Sequence, residues 1–206
     1  MGIRSLLWAC PLCGEDRALE DGDGRKEAVC RACGTAFARV RGADIEARRK
    51  DGSTEVRTAA DWLERLPSPG AILGQGGGDG PVRTAEARIA EVVGEEVVRV
   101  GGDYLNRVEV WGEESPGTVE LWPDRLVIGR QDEDPVVWPL ETLTAVQTSS
   151  KTLQLKARSA PLTSFRFVHD ASLLWERLLH AALRDFYGRT GRGEIVEFQP
   201  RITAAR

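Results

Sequence analysis

Apolar and polar residues alternate through most of the chain after residue 82, in short stretches separated by turn residues. A period of two turns one face of a strand toward a core and the other toward water, so each stretch predicts a β-strand. The predicted strands are 82–90, 96–100, 105–111, 118–121, 125–129, 136–139, 144–148, 152–157 and 164–168. So many closely spaced strands predict an antiparallel sandwich or barrel.

The periodicity changes after residue 170, where apolar residues recur every three to four positions and predict one long amphipathic helix. Asp170 is the expected N-cap, and Gly188 the expected end of the helix. The apolar stripe consists of Leu174, Trp175, Leu178, Leu179, Ala182, Leu183 and Phe186. Alternation returns at 193–202, which predicts a strand that joins an edge of the same barrel, an edge of the N-terminal region, or another protein.

Shorter elements are predicted near the N-terminus. The runs 36–40, 45–47 and 54–57 alternate around an Asp-Gly turn and predict short strands. Thr58 is the expected cap of a short helix at 59–66, which Pro67 ends.

The segment 67–81 separates these two regions. It contains six glycines and three prolines in fifteen residues, so we expect a flexible linker with no regular element. The predicted domains are therefore 1–66, a ribbon with a short following helix, and 82–206, a barrel with a C-terminal helix and a strand-like tail. We expect the linker to separate two cores.

All four cysteines of the chain lie in two Cys-x-x-Cys-Gly knuckles. The spacing between the knuckles is that of a zinc ribbon, in which four thiolates bind one ion. The predicted ligands are Cys10, Cys13, Cys30 and Cys33. Four thiolates leave no open position on zinc, so we expect a structural Zn²⁺ ion and no catalytic one. Iron is the alternative, because the knuckles of rubredoxins resemble these.

Composition adds few constraints on function. The 206 residues carry a net charge of −4 without a concentrated basic face, apart from the short cluster Arg39, Arg41, Arg48, Arg49 and Lys50. Only four of the 28 basic residues are Lys, a bias typical of GC-rich bacterial genomes. The sequence has no apolar run of the ~20 residues that a membrane-spanning helix needs. Its first eight residues have one basic side chain and a short apolar stretch, so we expect no signal peptide. We therefore expect a cytoplasmic protein.

The stretch from Val82 to Tyr187 resembles the pleckstrin-homology superfamily, particularly its GRAM-like members. The resembling segments are GTVELWPDRLVIG, VVWPLETLTAVQ, TLQLKAR, TSFRFV and SLLWERLLHAALRDFYG. The resemblance implies an antiparallel barrel plugged at one end by the helix, with Trp175 as the plug. Phosphoinositide-binding members carry basic residues in the loop between their first two strands. Here that loop contains Glu113 and Glu114, which favours a protein partner over an inositol lipid.

No catalytic residues are predicted. His180 and Asp185 superficially resemble the His-x4-Asp motif of glycerolipid acyltransferases, but five helical positions place the two side chains ~140° apart. Asp185 therefore cannot orient His180 as a base. The serines lie in polar turns without a nominated partner.

The predicted fold class is mainly β with one long C-terminal helix: an N-terminal zinc ribbon plus an antiparallel barrel like that of pleckstrin-homology domains, capped by the helix. The leading functional hypothesis is a non-catalytic zinc-binding adaptor that binds a protein, with peripheral membrane association left open. One alternative is a nucleic-acid-binding ribbon that uses the Arg39–Lys50 cluster. Another is an accessory component of phospholipid metabolism.

Overall fold

The computed structural model describes residues 2–22, 26–75, 80–101, 103–149, 151–197 and 202–205. The helices are α1 (Ile3–Leu6), α2 (Ala59–Glu64), α3 (Pro69–Gln75) and α4 (Ser172–Thr190). The strands are β1 (Leu19–Asp21), β2 (Glu27–Cys30), β3 (Ala36–Arg39), β4 (Asp44–Arg48), β5 (Thr54–Thr58), β6 (Arg83–Val100), β7 (Asp103–Trp111), β8 (Ser115–Leu121), β9 (Arg125–Arg130), β10 (Val136–Pro139), β11 (Leu143–Thr148), β12 (Leu153–Ala157), β13 (Thr163–Phe167), β14 (Glu194–Glu197) and β15 (Thr203–Ala205). The predicted fold class, mainly β with a long C-terminal helix, is confirmed.

Strands β1 to β5 form an antiparallel meander. Its buried face includes Phe37 and Ile45, against which Trp62 of α2 packs. The Trp62 indole meets the Phe37 ring edge to face at 5.8 Å and donates a hydrogen bond to the Ile45 carbonyl at 2.9 Å. Thr58 and Asp61 form a capping box at the start of α2, which confirms the predicted cap. The predicted strands in this region are confirmed, whereas β1 and β2 were not predicted.

The second sheet has the strand order β10-β9-β8-β6-β13-β12-β11, and β7 pairs with β6 outside this path. Every pairing is antiparallel. Its path ends at β10 and β11, and no pairing between these two strands is found in the described ranges, so closure into a barrel stays a prediction. The predicted strands 82–90 and 96–100 are one strand, β6, because Gly94 is accommodated by a register shift against β7.

The helix α4 buries the predicted apolar stripe against β11, β12 and β13. Trp175 is fully buried, as expected for a plug, and stacks on Phe167 with the ring centroids 4.8 Å apart. The predicted end at Gly188 is wrong. The helix continues to Thr190, and Gly191 ends it with a left-handed φ of +67°.

The expected N-cap role of Asp170 is also wrong, because Ala171 occupies the cap position and no side chain caps this helix. The Asp170 carboxylate is fully buried and faces the N-terminal region. Arg17 donates to it at 2.6 and 2.9 Å, and Arg83 at 2.6 and 2.8 Å. The Trp175 indole donates a further hydrogen bond at 2.9 Å. Asp170 therefore joins the ribbon, the start of β6 and the start of α4.

The predicted linker and the separation of cores differ from the structure. Residues Pro69–Gln75 form α3, which packs on α4, so the expectation of no regular element is wrong there. Residues 76–79 of the linker lie outside the described residues. Buried side chains of 1–66 and of 82–206 belong to one hydrophobic cluster, so the expected two separate cores are not observed. The domain boundaries themselves stay a prediction.

The C-terminal tail forms a strand at Glu194–Glu197, within the predicted run. Its pairing partner is β15, and the Ile202 amide donates a hydrogen bond to the Thr144 carbonyl at the edge of β11. The part of the predicted run at 198–201 lies outside the described residues. No helix in the described part of the chain is long and apolar enough to span a membrane.

Substitution Trp175→Ala should lower the free energy of unfolding by about 3–5 kcal/mol, because it opens a cavity under α4 and removes the stack on Phe167. The matched control is Trp122→Ala, since Trp122 is only half-buried and should cost roughly 1 kcal/mol. Urea denaturation of the full chain measures both. Equal losses would contradict a plug role for Trp175.

Asp170 should make stability depend on pH in the acid range. Burial would raise the pKa of Asp170, but Arg83 and Arg17 lower it to about 2, below the ordinary value near ~3.9. Its stabilising contribution is therefore complete above pH ~5 and is lost as the pH falls toward 2. At pH 7, Asp170→Asn should cost about 3 kcal/mol, because it leaves buried arginine charge uncompensated.

The difference between wild type and Asp170→Asn in urea denaturation should shrink steadily between pH 4 and pH 2. The exposed Asp185, which pairs with Arg189 one helical turn away, supplies the control Asp185→Asn. A difference for Asp170→Asn that stays constant over this range would contradict the assignment.

Candidate metal centre

The two cysteine knuckles have the same backbone hydrogen bonds. In the first, the Cys10 amide donates to the Glu15 carbonyl at 3.0 Å. In the second, the Cys30 amide donates to the Thr35 carbonyl at 2.9 Å. Each bond closes a tight turn whose two thiols point the same way. The ribbon is thus built from two equivalent halves, one preceding β1 and one following β2.

A glycine follows the second cysteine of each knuckle because the backbone there is left-handed. The φ angles are +77° at Gly14 and +74° at Gly34, as the sequence predicts. The side chain of Lys50 lies directly over Gly34, where a Cβ atom would approach its Cε to 1.9 Å. The absence of a side chain at Gly34 therefore lets a lysine approach the knuckle.

The knuckles bring the four predicted ligands together. The Sγ atoms of Cys10 and Cys33 are 3.7 Å apart, as are those of Cys13 and Cys30. All four sulfurs lie within 4.8 Å of one another. A tetrahedral ion with metal–sulfur bonds of about 2.3 Å requires sulfur–sulfur distances of about 3.8 Å. The four cysteines therefore form a cluster that fits a tetrahedral metal ion.

The environments of the thiols differ. Burial raises the pKa of Cys10 and of Cys30 above the ordinary value. Burial would also raise the pKa of Cys33, but hydrogen bonds with the hydroxyl and amide of Thr35 lower it to about 6. A metal ion needs all four sulfurs as thiolates, so its binding must displace protons from the buried pair. Lys50 offers a positive charge beside the resulting anionic cluster.

The basic residues considered for nucleic acid do not form one surface. Arg48 pairs with Glu46 at 2.9 Å, and Arg49 pairs with Glu55 at 2.8 Å. Arg39 lies at the opposite end of the β3–β4 pair from Arg48. Two of the five charges are thus neutralised locally, and a third is separated from them.

Arg39 differs from the other cations of the predicted basic cluster. Strand alternation puts it on the same face of β3 as the buried Phe37. The alternation of buried and exposed positions along β3 could have indicated the position of Arg39. The Asp170 contacts with Arg17 and Arg83 had no comparable signal, because 153 and 87 positions separate the partners.

His180 and Asp185 are not brought together as a catalytic pair. The Asp185 carboxylate accepts a hydrogen bond from Arg189 at 2.7 Å on the exposed side of α4. His180 lies half-buried, and burial lowers its pKa.

Comparisons with known proteins add no family. A scan against models of protein families finds no match for this chain, and a search of curated proteins finds none with significant similarity.

Purified protein should contain about one zinc ion per chain, and Cys30→Ser should abolish binding because three thiolates remain. Thr35→Val keeps all four sulfurs but removes the hydroxyl next to Cys33, so it should weaken zinc affinity by roughly 10–100-fold while retaining the stoichiometry. Elemental analysis and competition with a chelating dye measure both quantities. Iron in place of zinc, or a full zinc content in Cys30→Ser, would contradict the assignment.

Proposed function

We propose that this protein is a non-catalytic adaptor in which a structural zinc ion holds the ribbon, and the ribbon and the second sheet together bind another protein. Four thiolates saturate a tetrahedral ion, which supports a structural role over a catalytic one. The sulfurs of both knuckles meet in one cluster, so bound metal would join the knuckles and add to the stability of the ribbon.

One observation carries the proposal: the second half of β6 and nearly all of β7 leave the sheet as a two-stranded arm. Among the residues that the structure describes, strand β6 pairs with β8 and β13 up to Glu91, and its remaining residues pair with β7 alone. The large apolar side chains exposed on the arm are Val93, Val97, Val100, Leu105 and Val108. Val100 and Leu105, near the tip, are 64% and 63% exposed.

The arm has two open strand edges. Proteins usually protect such edges with lysine or proline, or cover them with another element. Residues 92–111 contain neither lysine nor proline, and Arg107 pairs with Glu95 across the arm at 3.3 Å. An extended segment of a partner could add as a strand to either edge while the apolar side chains pack against it. We therefore infer that the binding partner is another protein.

The strand order of the second sheet followed by a terminal helix supports the resemblance to pleckstrin-homology domains, which commonly act as docking modules. The loop between β7 and β8 is acidic, and its Glu114 pairs with Arg166. That loop would repel an inositol phosphate, which again favours a protein. Attachment at a membrane face would then depend on the partner or on another surface.

Affinity capture from a lysate of the source organism tests this function. Leu105→Glu places a charge at the tip of the arm and should abolish capture of the partner with little change in the melting temperature, because this side chain is 63% exposed. The control is Val56→Glu on β5, since Val56 is 54% exposed but lies in the ribbon sheet. Equal capture by wild type and Leu105→Glu would contradict the arm as the binding surface.

A further inference from the structure

A cavity of about 580 Å³ lies where the ribbon meets the second sheet. The first half of the chain lines it with Ser5, Lys26 and Arg39, and the second half with Lys151, Arg166 and Ser172. Its volume falls within the range of small-molecule binding sites. A molecule bound here would contact both halves of the chain at once.

The charges that line this cavity are unbalanced. Lys26, Arg39 and Lys151 have no carboxylate partner among the residues that the structure describes. The two acidic groups of the lining are already engaged: Asp21 lies 3.7 Å from Arg4, and Asp170 is held by two arginines. The cavity therefore presents a surplus of about three positive charges to whatever enters it.

Arg39 shows the strongest sign of a missing partner. It follows Phe37 on the core-facing side of β3, directly across from the buried Ile45. Its Nε atom is buried and has no hydrogen-bond partner in the described part of the chain. A buried donor without a partner is costly to the folded state, and a charged one more so. An anion in the cavity would satisfy it.

The N-terminus of α4 adds to the positive electrostatic potential in the cavity. Ala171, Ser172 and Leu173 line the cavity, and Ala171, the N-cap of this 19-residue helix, has no side chain that could cap the first turn. Its free amides and the positive end of its dipole thus point toward the region that the cations surround. Cations from the turn before β2, from β3 and from the β11–β12 turn line the same cavity as the start of α4.

We propose that this cavity binds a phosphate-bearing anion, with Lys26, Arg39 and Lys151 as its ligands. Three unpaired cations exceed what one phosphate group of charge about −2 requires, and they match a diphosphate or a phosphate with a second acidic group. Divalent cations and neutral apolar molecules do not fit this lining. The phosphate could belong to a soluble metabolite or to a lipid headgroup, and the two sources are separated by experiment.

Titration calorimetry with inorganic pyrophosphate is the first arm of the test. Wild type should bind, and Arg39→Gln should bind at least about tenfold more weakly, since it loses a charge-assisted hydrogen bond. Arg41→Gln is the matched control, because Arg41 is exposed two residues further on and does not line the cavity. Leu105→Glu on the arm should also bind normally, which separates this site from the proposed adaptor surface.

Thermal melts show whether each variant is folded. Without pyrophosphate, Arg39→Gln should melt no lower than wild type, because the substitution removes an unpartnered buried charge. Lys151→Gln, in the other half of the chain, should weaken pyrophosphate binding by a comparable factor. It keeps the test valid if Arg39→Gln does not fold. Absence of pyrophosphate and vesicle binding, or equal weakening in Arg41→Gln, would overturn the proposal.

The second arm uses phosphatidylcholine vesicles with and without phosphatidic acid. A lipid headgroup is the source if the wild type floats with phosphatidic acid vesicles, pyrophosphate prevents this flotation, and Arg39→Gln abolishes it. Binding of pyrophosphate without flotation identifies a soluble anion. Flotation that is equal in wild type and Arg39→Gln, without pyrophosphate binding, would overturn the site.

Discussion

The arrangement of the whole molecule depends on one buried carboxylate, that of Asp170. Two arginines, from the ribbon and from the start of β6, each bind it with two hydrogen bonds, and Arg83 also reaches Asp16 at 2.6 Å. Arg17 adopts a left-handed φ of +52°, a conformation that costs a non-glycine residue about 1 kcal/mol. Such strain persists where surrounding contacts fix the residue. The contact thus fixes how the ribbon lies against the sheet and α4.

The contact of Asp170 with Arg17 and Arg83 changes the role that a metal ion would have. A ribbon on a flexible linker would gain or lose its metal without consequence for the rest of the chain. Here Arg17 lies four residues after Cys13, and Trp8, two residues before Cys10, lies under the guanidinium of Arg177 on α4 at 5.3 Å. Ordering of the knuckles by a metal ion would therefore also order the groups that hold Asp170. Metal binding and the packing of α4 would then be linked through these contacts of Arg17 and Trp8.

The sequence predicted those parts of the structure whose cause is local. Two cysteines and a glycine define each knuckle, alternation defines the strands, and a stripe of apolar residues that includes Trp175 defines α4. What could not be predicted depends on contacts between distant positions. Asp170 had the residue type of a helix cap, and its role changed because Arg17 and Arg83 arrive from elsewhere in the fold. Residues 69–75 looked unstructured by composition, yet α4 provides a surface on which they form a helix.

Arg39 shows how a local pattern and a distant contact combine. Alternation along β3 assigns its position to the core-facing side, where an apolar residue would give the ribbon a better-packed and more stable core. The position of this charge is explained by the cavity between the ribbon and the second sheet, which both Arg39 and Asp170 line. The contact that aligns the two halves thus also creates the space in which their unpaired cations meet. An anion held there would bind the folded arrangement of both halves and not the unfolded chain, and would stabilise it by mass action.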